Sequence, residues 1–444
     1  MFFHRLRQVI CIFGAKLFKK NEINERFLRN ISYFCTVKRI ILHFQVFLIC
    51  IVILSCGRVE AYCQELTSPV AGTMYDSIQV SLLTCQPHDE VYSLYGHTAI
   101  RIEDPSRGYD VAVNYGVFDF NTDNFVLKFV FGKTDYMMGI FDFKDFLYEY
   151  RYWGSGVYQQ HIDLTTAEKA VFMHLLAENA KPQNVVYRYN FYYNNCTTRA
   201  RDIIFSCLDS IIAPPHREST RTFRQLIHTK NEEHRWARFG NDILLGVGSD
   251  KMASMEEAEF LPEELMQDFD SMLVKRHDGS VRALVDTAFW VLPPGVARAN
   301  SDYAGIKVTP SQCAWGFLCA IMAYLLASIA LQRKNNAAAR KWIGWLDYAV
   351  CCLYAATGIP LVLMIFSEHP TVSLNLQLLL FCPLWFLTAF PRKNNLKGWG
   401  IMAVVLILFF AGNAIQQYAE GVNVLALSLS AIVGKNIWLS QKKC

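Results

Sequence analysis

The sequence is poor in charged residues and lacks the patterns of a metal centre or a nucleic-acid surface. Only 18% of its 444 residues are charged, whereas 52% are hydrophobic, and the formal net charge is +4. No basic stripe interleaved with aromatic residues occurs, which argues against nucleic acid as a ligand. The 14 cysteines include no CxxC pair and no Cys/His cluster with zinc spacing, so no metal or other cofactor is expected. This composition indicates a membrane protein with a sizeable soluble part.

The N-terminal region, residues 1–61, is typical of an export segment. Basic residues are spread over the first 39 positions, and an apolar run follows at 40–54. This order predicts a signal peptide or a signal anchor. Two processing alternatives stay open, because Val59-Glu60-Ala61 resembles a cleavage site, whereas Ile53-Leu54-Ser55-Cys56 loosely resembles a lipobox that would place a lipid on Cys56.

Residues 309–444 are predicted to form an all-α transmembrane bundle of about five helices. Short polar loops separate apolar runs of bilayer-crossing length: 313–331, 346–366, 373–390, 399–417 and 422–439. Basic residues, Lys435 among them, cluster in the loops after the first and third runs and after the fifth. The loops at 367–372 and around Glu420 hold no Lys or Arg. The positive-inside rule and an odd number of spans then place the preceding domain on the outer side of the membrane.

Residues 62–308 are predicted to form one α+β domain with a small antiparallel sheet and packed helices. Thr165 and Glu168 resemble the capping box of a helix. An apolar stripe after Cys196 predicts a helix that continues to Pro214-Pro215. Alternation and turn residues predict four strands at 77–84, 93–102, 110–118 and 159–164.

Cys196 lies in the polar run YYNNCTTR, where an extended segment turns into a helix. A thiol at a helix N-terminus favours the thiolate, which attacks acyl groups, and backbone N–H groups there can hold an oxyanion. The alternative is a structural cysteine, either a small buried hydrophobe or half of a disulfide with Cys63, Cys85 or Cys207. Both interpretations stay open on the residues alone.

A nucleophilic cysteine needs a base and a group that orients the base. His97, on the strand after Gly96, is the candidate base, with His161 as a rival, and Asn114 on the next strand is the candidate third group. Each of them also has an ordinary structural interpretation, as a hydrogen-bonded core histidine or a sheet-edge asparagine.

Three further residues are candidates for substrate binding. Tyr95 can line the site or simply pack, and Arg199 can meet a lipid phosphate or form a salt bridge. His369 lies on the loop expected to face the periplasm, where it can help to close the site over a lipid or serve as an ordinary turn residue. Asn241 and Asp242 are expected to cap a helix.

These motifs together resemble a known family. A strand-borne His before a Cys at a helix start resembles the circularly permuted NlpC/P60 papain-like fold, which includes lecithin–retinol acyltransferase-like enzymes. Five segments spread over residues 70–440 are similar to the Lnb family of lipoprotein N-acyltransferases: YSLYGHTAIRI, VNYGVFDF, YRYNFYYNNCTTRARDII, FGNDILLG and SEHPTVSLN. The resemblance implies a protein of the inner membrane with its catalytic domain in the periplasm. It also implies that Cys196 and His97 pass a fatty acyl chain from a phospholipid, through a thioester, to the α-amine of a diacylated lipoprotein.

Two other functions fit the same residues. The first is hydrolysis of cell-wall peptides or lipid esters by the same Cys196–His97 pair, with water as the acceptor. The second is a membrane receptor or assembly module without enzyme activity, in which Cys196 belongs to a disulfide.

Overall fold

The computed structural model describes residues 72–88, 90–118, 124–212, 220–296, 307–333, 337–391 and 395–441. The expected export segment, with Cys56 and Cys63, lies outside these residues. The expected boundary between residues 308 and 309 stays a prediction; the first long apolar helix begins at Pro310.

One antiparallel sheet of seven strands forms the centre of the periplasmic part, in the order β10-β5-β1-β2-β3-β4-β6. Its strands are β1 (Gln79–Cys85), β2 (His97–Asp104), β3 (Tyr109–Val117), β4 (Asp135–Asp142), β5 (Val157–Ile162), β6 (Val186–Arg188) and β10 (Val285–Leu292). A small second sheet contains β7 (Ser210–Ile212), β8 (Leu273–Lys275) and β9 (Val281–Ala283). The α+β prediction is confirmed, and the sheet is larger than expected because three of its strands have weak sequence patterns.

Nine helices accompany these sheets within the described residues. They are α1 (Gly72–Tyr75), α2 (Phe125–Val130), α3 (Phe143–Trp153), α4 (Thr166–Asn179), α5 (Cys196–Phe205), α6 (Phe223–His228), α7 (Arg235–Leu244), α8 (Met255–Ala258) and α9 (Pro262–Phe269). The expected capping box is present at the start of α4. The expected continuation of α5 to Pro214 is wrong, because the chain leaves the helix after Phe205 and Ser210–Ile212 pairs with β8 instead.

The sheet has an apolar layer on each face. One layer contains the central strands, α4, α5 and α9, with Phe172, Ile204 and Phe269 almost fully buried. The other layer packs Phe143, Phe146 and Tyr150 of α3 against the strands. This arrangement places the N-terminus of α5 against β2 and β3, which is the position that the site described below requires.

The C-terminal part contains three helices that are long and apolar enough to cross a membrane, within the described residues. They lie in α10 (Pro310–Arg333), α11 (Ala337–Met364) and α14 (Val422–Gln441), while α13 (Leu396–Gly412) is shorter. Lys435 is not a loop charge as expected. It lies inside α14, almost fully buried, and its Nζ is 2.7 Å from Asp347 Oδ1 of α11.

The third expected span, 373–390, is wrong as a continuous helix. It consists of a 3-10 turn at Leu376–Leu379 and the short helix α12 (Trp385–Thr388). Pro383 between them has no N–H to continue a helix. The buried Gln377 side chain donates to the backbone of Asp242 and accepts from the backbone of Ala419. Irregular backbone within the membrane part is tolerated here because other groups of the protein form hydrogen bonds with its polar atoms.

Both loops that lack Lys and Arg pack on the periplasmic domain. Glu420 forms a bidentate pair with Arg235 of α7, at 2.7 and 3.0 Å. In the other loop, the backbone N–H of Glu368 donates to Phe131 O at 3.0 Å. These contacts agree with the orientation that the loop charges predict.

A buried polar network joins the two parts of the chain. The fully buried Arg224 pairs with Asp242 at 2.8 Å and with Asp250 at 2.7 Å. Asn375 and Gln416 donate to the backbone carbonyls of Ile243 and Leu245, respectively. The expectation that Asn241 and Asp242 cap a helix is therefore wrong, because they lie in the last turns of α7 and belong to this interface.

Candidate active site

Cys196 is the first residue of α5, and Asn195 caps that helix. The Asn195 side-chain oxygen accepts from the backbone N–H groups of Thr197 and Thr198, both at 2.9 Å. Its amide group donates to the backbone carbonyls of Phe191 and Phe260. The cap therefore holds both the helix start and the loop before it, which orients the thiol.

The same cap determines which amide at the helix start is left for a ligand. The amides of Thr197 and Thr198 are occupied by Asn195. The backbone N–H of Cys196 has no acceptor among the described residues. A single N–H next to the nucleophile, rather than a row of amides, is thus available for an oxyanion.

His97 is the first residue of β2, and its imidazole lies close enough to the Cys196 thiol for each group to shift the pKa of the other. The preceding Gly96 has φ +76°, and a Cβ there would lie 2.8 Å from the carbonyl oxygen of Cys85. Glycine at this turn therefore lets the chain enter β2 with His97 directed at α5. Cys196 and His97 are both half-buried, so a ligand can reach them.

Asn114 of β3 holds the other side of the imidazole. His97 Nε2 lies 2.9 Å from Asn114 Oδ1, and the backbone N–H of Gly116 donates to that same oxygen at 2.7 Å. Since Oδ1 accepts from Gly116, Nε2 carries the hydrogen in this bond and Nδ1 is left to take a proton from the thiol. The structure brings Cys196, His97 and Asn114 together, in an arrangement that suits a nucleophile, its base and a group that orients the base.

Gly116 makes room for the histidine ring. A Cβ at this position would lie 2.7 Å from His97 Cε1 and 3.1 Å from Asn114 Oδ1. Any side chain here would therefore displace the imidazole or its partner. The sequence analysis did not single out this glycine, although it directly follows Asn114-Tyr115 in the VNYGVF segment.

The two groups change each other's ionisation. Burial opposes ionisation of Cys196, but the charge and hydrogen bond of His97 outweigh it and lower the thiol pKa to about 7. Burial also disfavours a charged His97, yet the Cys196 thiolate and the Asn114 hydrogen bond raise the pKa of the imidazole. Both shifts favour a thiolate–imidazolium pair near neutral pH, the reactive form of a nucleophilic cysteine.

The rival residues do not share this environment. Cys85, Cys196 and Cys207 are free thiols, and burial raises the pKa of Cys85. His161 Nδ1 lies 2.8 Å from Asp286 Oδ1, between β5 and β10. No group of three or more potential metal-ligating side chains is found in the part of the chain that the structure describes.

Stacked aromatic side chains lie near the thiol. Tyr136 stacks on Tyr189 with ring centres 4.1 Å apart, and on Phe118 at 4.8 Å. Burial is the main cause that raises the pKa values of Tyr136 and Tyr189, and the charge of Cys196 raises them further. Both hydroxyls therefore lie near the thiol. Such rings supply an apolar wall for an acyl chain.

Of the three expected substrate residues, Arg199 lies nearest to the nucleophile along the chain. Its Nε donates to Asn194 Oδ1 at 2.7 Å, and its guanidinium carbon lies 4.5 Å from the centre of the Tyr187 ring. No carboxylate of the described residues pairs with it. The expected alternative of a salt bridge applies instead to Arg201, which binds Asp202 and Glu259.

Tyr95 and His369 contact other parts of the molecule. The Tyr95 hydroxyl accepts from Asn231 and Asn241, and its ring packs against Phe191. It therefore connects the loop before Cys196 to α7. His369 Nε2 lies 3.0 Å from Phe129 O, so this residue docks on α2 rather than on the thiol.

Two known domain families match this chain. The Lnb N-terminal periplasmic domain matches residues 71–228, and the Lnb transmembrane domain matches residues 301–444. The chain belongs to the Lnb family. It is an acyltransferase-like membrane protein of lipoprotein biogenesis with a periplasmic domain. No curated protein and no solved structure matches the chain.

The effect of His97 on the thiol can be read from a pH profile. In His97→Gln, the pKa of Cys196 should rise above its value of about 7 in the unaltered protein, because burial still opposes ionisation while the lowering charge is gone. The pH dependence of Cys196 alkylation by iodoacetamide, followed by peptide mass spectrometry, measures this pKa. His161→Gln is the matched control and should leave the profile unchanged. An unaltered midpoint in His97→Gln would contradict the pairing.

The space at Gly116 gives a second test. Gly116→Ala should slow alkylation of Cys196 at pH 7 by about tenfold or more, because the added methyl group displaces the imidazole. Gly240→Ala is the control, since nothing lies within 4 Å of a Cβ there. Equal rates in the two variants would show that the ring position does not depend on Gly116.

Proposed function

We propose that this protein is a lipoprotein N-acyltransferase of the inner membrane. It takes a fatty acyl chain from a phospholipid and transfers it to the α-amine of a diacylglyceryl cysteine at the N-terminus of a lipoprotein. The observation that carries the proposal is the Cys196–His97–Asn114 array, in a domain whose contacts reach the loop after the membrane helix α11.

In the first half-reaction, His97 Nδ1 takes the proton of the Cys196 thiol. The thiolate attacks the ester carbonyl carbon of the phospholipid, and the resulting oxyanion accepts a hydrogen bond from the backbone N–H of Cys196. The ester C–O bond then breaks, and His97 returns the proton to the leaving lysophospholipid. The acyl chain stays on Sγ as a thioester.

In the second half-reaction, the α-amine of the lipoprotein attacks the thioester carbonyl carbon. His97 takes the amine proton, the C–S bond breaks, and the proton passes to the departing thiolate. The products are an N-acylated lipoprotein and the free thiol, so no oxidant, reductant or cofactor is consumed.

Short contacts connect the nucleophile to the membrane part. Arg188 of β6 binds Glu368 of the 367–371 loop, at 3.1 Å. Asn194 donates to the backbone carbonyl of Arg188 and accepts from Arg199, three residues after Cys196. A thiol that is connected to this loop through Asn194 and Arg188 is suited to substrates that stay in the bilayer, as phospholipids and lipoproteins do.

Arg199 is the proposed site for the donor phosphate. Its terminal nitrogens have no acceptor among the described residues, while Nε and the Tyr187 ring hold the side chain in place. A guanidinium is suited to bidentate binding of a phosphate. The proposed acceptor, the lipoprotein, needs no such charge because its reacting group is an amine.

The covalent intermediate is the sharpest test of the mechanism. Protein incubated with phospholipid alone should gain one acyl mass on Cys196, removable by hydroxylamine, and should form N-acylated lipopeptide when a diacylated lipopeptide is added. Cys196→Ala should lose both products. Cys207→Ala should keep them, because the buried Cys207 thiol donates a hydrogen bond to the backbone carbonyl of Ile204. Unchanged N-acylation in Cys196→Ala refutes the proposal, and free fatty acid without the amide product indicates a hydrolase instead.

The role of Arg199 can be separated from that of the nucleophile. Arg199→Gln should raise KM for a phospholipid donor by about tenfold or more with little change in kcat, because a charge-assisted bond to the phosphate is lost. Diacylglycerol, which lacks the phosphate, should react equally with the variant and the unaltered enzyme. An equal loss with both donors would contradict phosphate binding by Arg199.

A further inference from the structure

The short helix α2 presents large apolar side chains on the surface of the periplasmic domain. Leu127 is 53% exposed and Phe129 is 46% exposed. Lys128 lies between them and is exposed, and Lys133 after the turn is exposed as well, with its Nζ 4.0 Å from Glu368 Oε1. Apolar side chains alternating with lysine are typical of segments at a bilayer surface, where the rings and methyl groups enter the lipid and the ammonium groups meet phosphates.

The contacts of α2 place it at the end of a membrane segment. His369 Nε2 lies 3.0 Å from Phe129 O, and the two rings pack edge-to-face with centres 5.9 Å apart. The turn after α2 is equally close, since a Cβ on Gly132 would lie 2.9 Å from the backbone nitrogen of His369. This fit requires glycine, whose φ there is +66°.

The loop that holds α2 follows directly on the apolar helix α11. That helix ends at Met364, and Phe366 after it is 60% exposed. Leu363 in its last turn is 38% exposed. Exposed apolar side chains at the end of the span are therefore followed, three residues after Phe366, by His369, whose ring packs on Phe129.

We infer that Leu127 and Phe129 insert into the periplasmic leaflet of the bilayer that α11 crosses. The occupant of this surface is phospholipid, because α2 is docked on the loop that directly follows a membrane-spanning helix and exposes Lys128, which is suited to a lipid phosphate, beside its apolar side chains. The insertion would hold the periplasmic domain at a set depth through its contacts at Glu368 and His369. This inference depends on the membrane helices and not on the proposed reaction.

Photo-crosslinking in lipid nanodiscs tests this surface directly. The full chain carries p-benzoylphenylalanine in place of Leu127, and in separate variants in place of Phe129 or Phe366. Val281 is the matched control, because it is 51% exposed and lies in the small sheet. No hydrogen bond or ion pair of the described residues joins that sheet to the membrane segments.

After irradiation, mass spectrometry should find phospholipid adducts at positions 127 and 366 at about five times or more the level at position 281. The level of adducts at position 129 should resemble that at position 127. The Leu127 variant keeps the test valid if loss of the Phe129–His369 contact perturbs the fold. Lipid adducts at position 127 no more frequent than at position 281 would overturn the inference. Adducts to a second copy of the chain, or to a copurified lipoprotein, in place of lipid would also overturn it. Because an adduct needs no turnover, failure of this test is distinct from failure of the proposed acyl transfer.

Discussion

The electrostatic pairing of the Cys196 thiol with the His97 imidazole is the interaction on which the proposed chemistry depends. It joins the start of α5 to the start of β2, two elements 99 positions apart in the chain that meet only because the helix packs across the sheet. Asn195 orients Cys196 by capping its helix, and Asn114 orients His97 by a hydrogen bond to the imidazole. Gly116 leaves the space that the ring occupies. The reactivity of the thiol is therefore a product of the packing between helix and sheet as well as of residue types.

A second constraint is the burial of polar groups where the periplasmic and membrane parts meet. Arg224 has no exposed surface, and its charge is balanced by Asp242 and Asp250. Removing one member of such a set leaves a buried charge without its partner, which costs about 3–5 kcal/mol in comparable proteins. The side chains of Asn375 and Gln416 extend the set into the membrane part. The network thus fixes the position of the periplasmic domain relative to the membrane part.

Much of the site was predictable because it follows from local chemistry. A helix start is recognised by its capping residues, and Cys196 in an Asn-Cys-Thr-Thr run has that form. The positions of His97 and Asn114 on neighbouring strands followed from alternation and a turn between them. Other features depend on distant chain segments and left no local signal. The aromatic wall of Tyr136 and Tyr189 is such a case, and so are the contacts of Tyr95 with α7 and of His369 with α2. The third expected span failed for a similar reason, since a run of apolar residues does not show that Gln377 and Pro383 interrupt a helix.

The amino-acid sequence by itself determined the order of the parts, the α+β class, the orientation of the membrane loops and the thiol at the helix start. These depend on composition, periodicity and loop charge, which are properties of short stretches of chain. Only the tertiary structure decided which histidine meets the thiol, which amide is left for an oxyanion and where the loop with His369 docks. Those outcomes depend on distances between residues far apart in the chain, and such distances are set by how helices and strands pack rather than by any one segment.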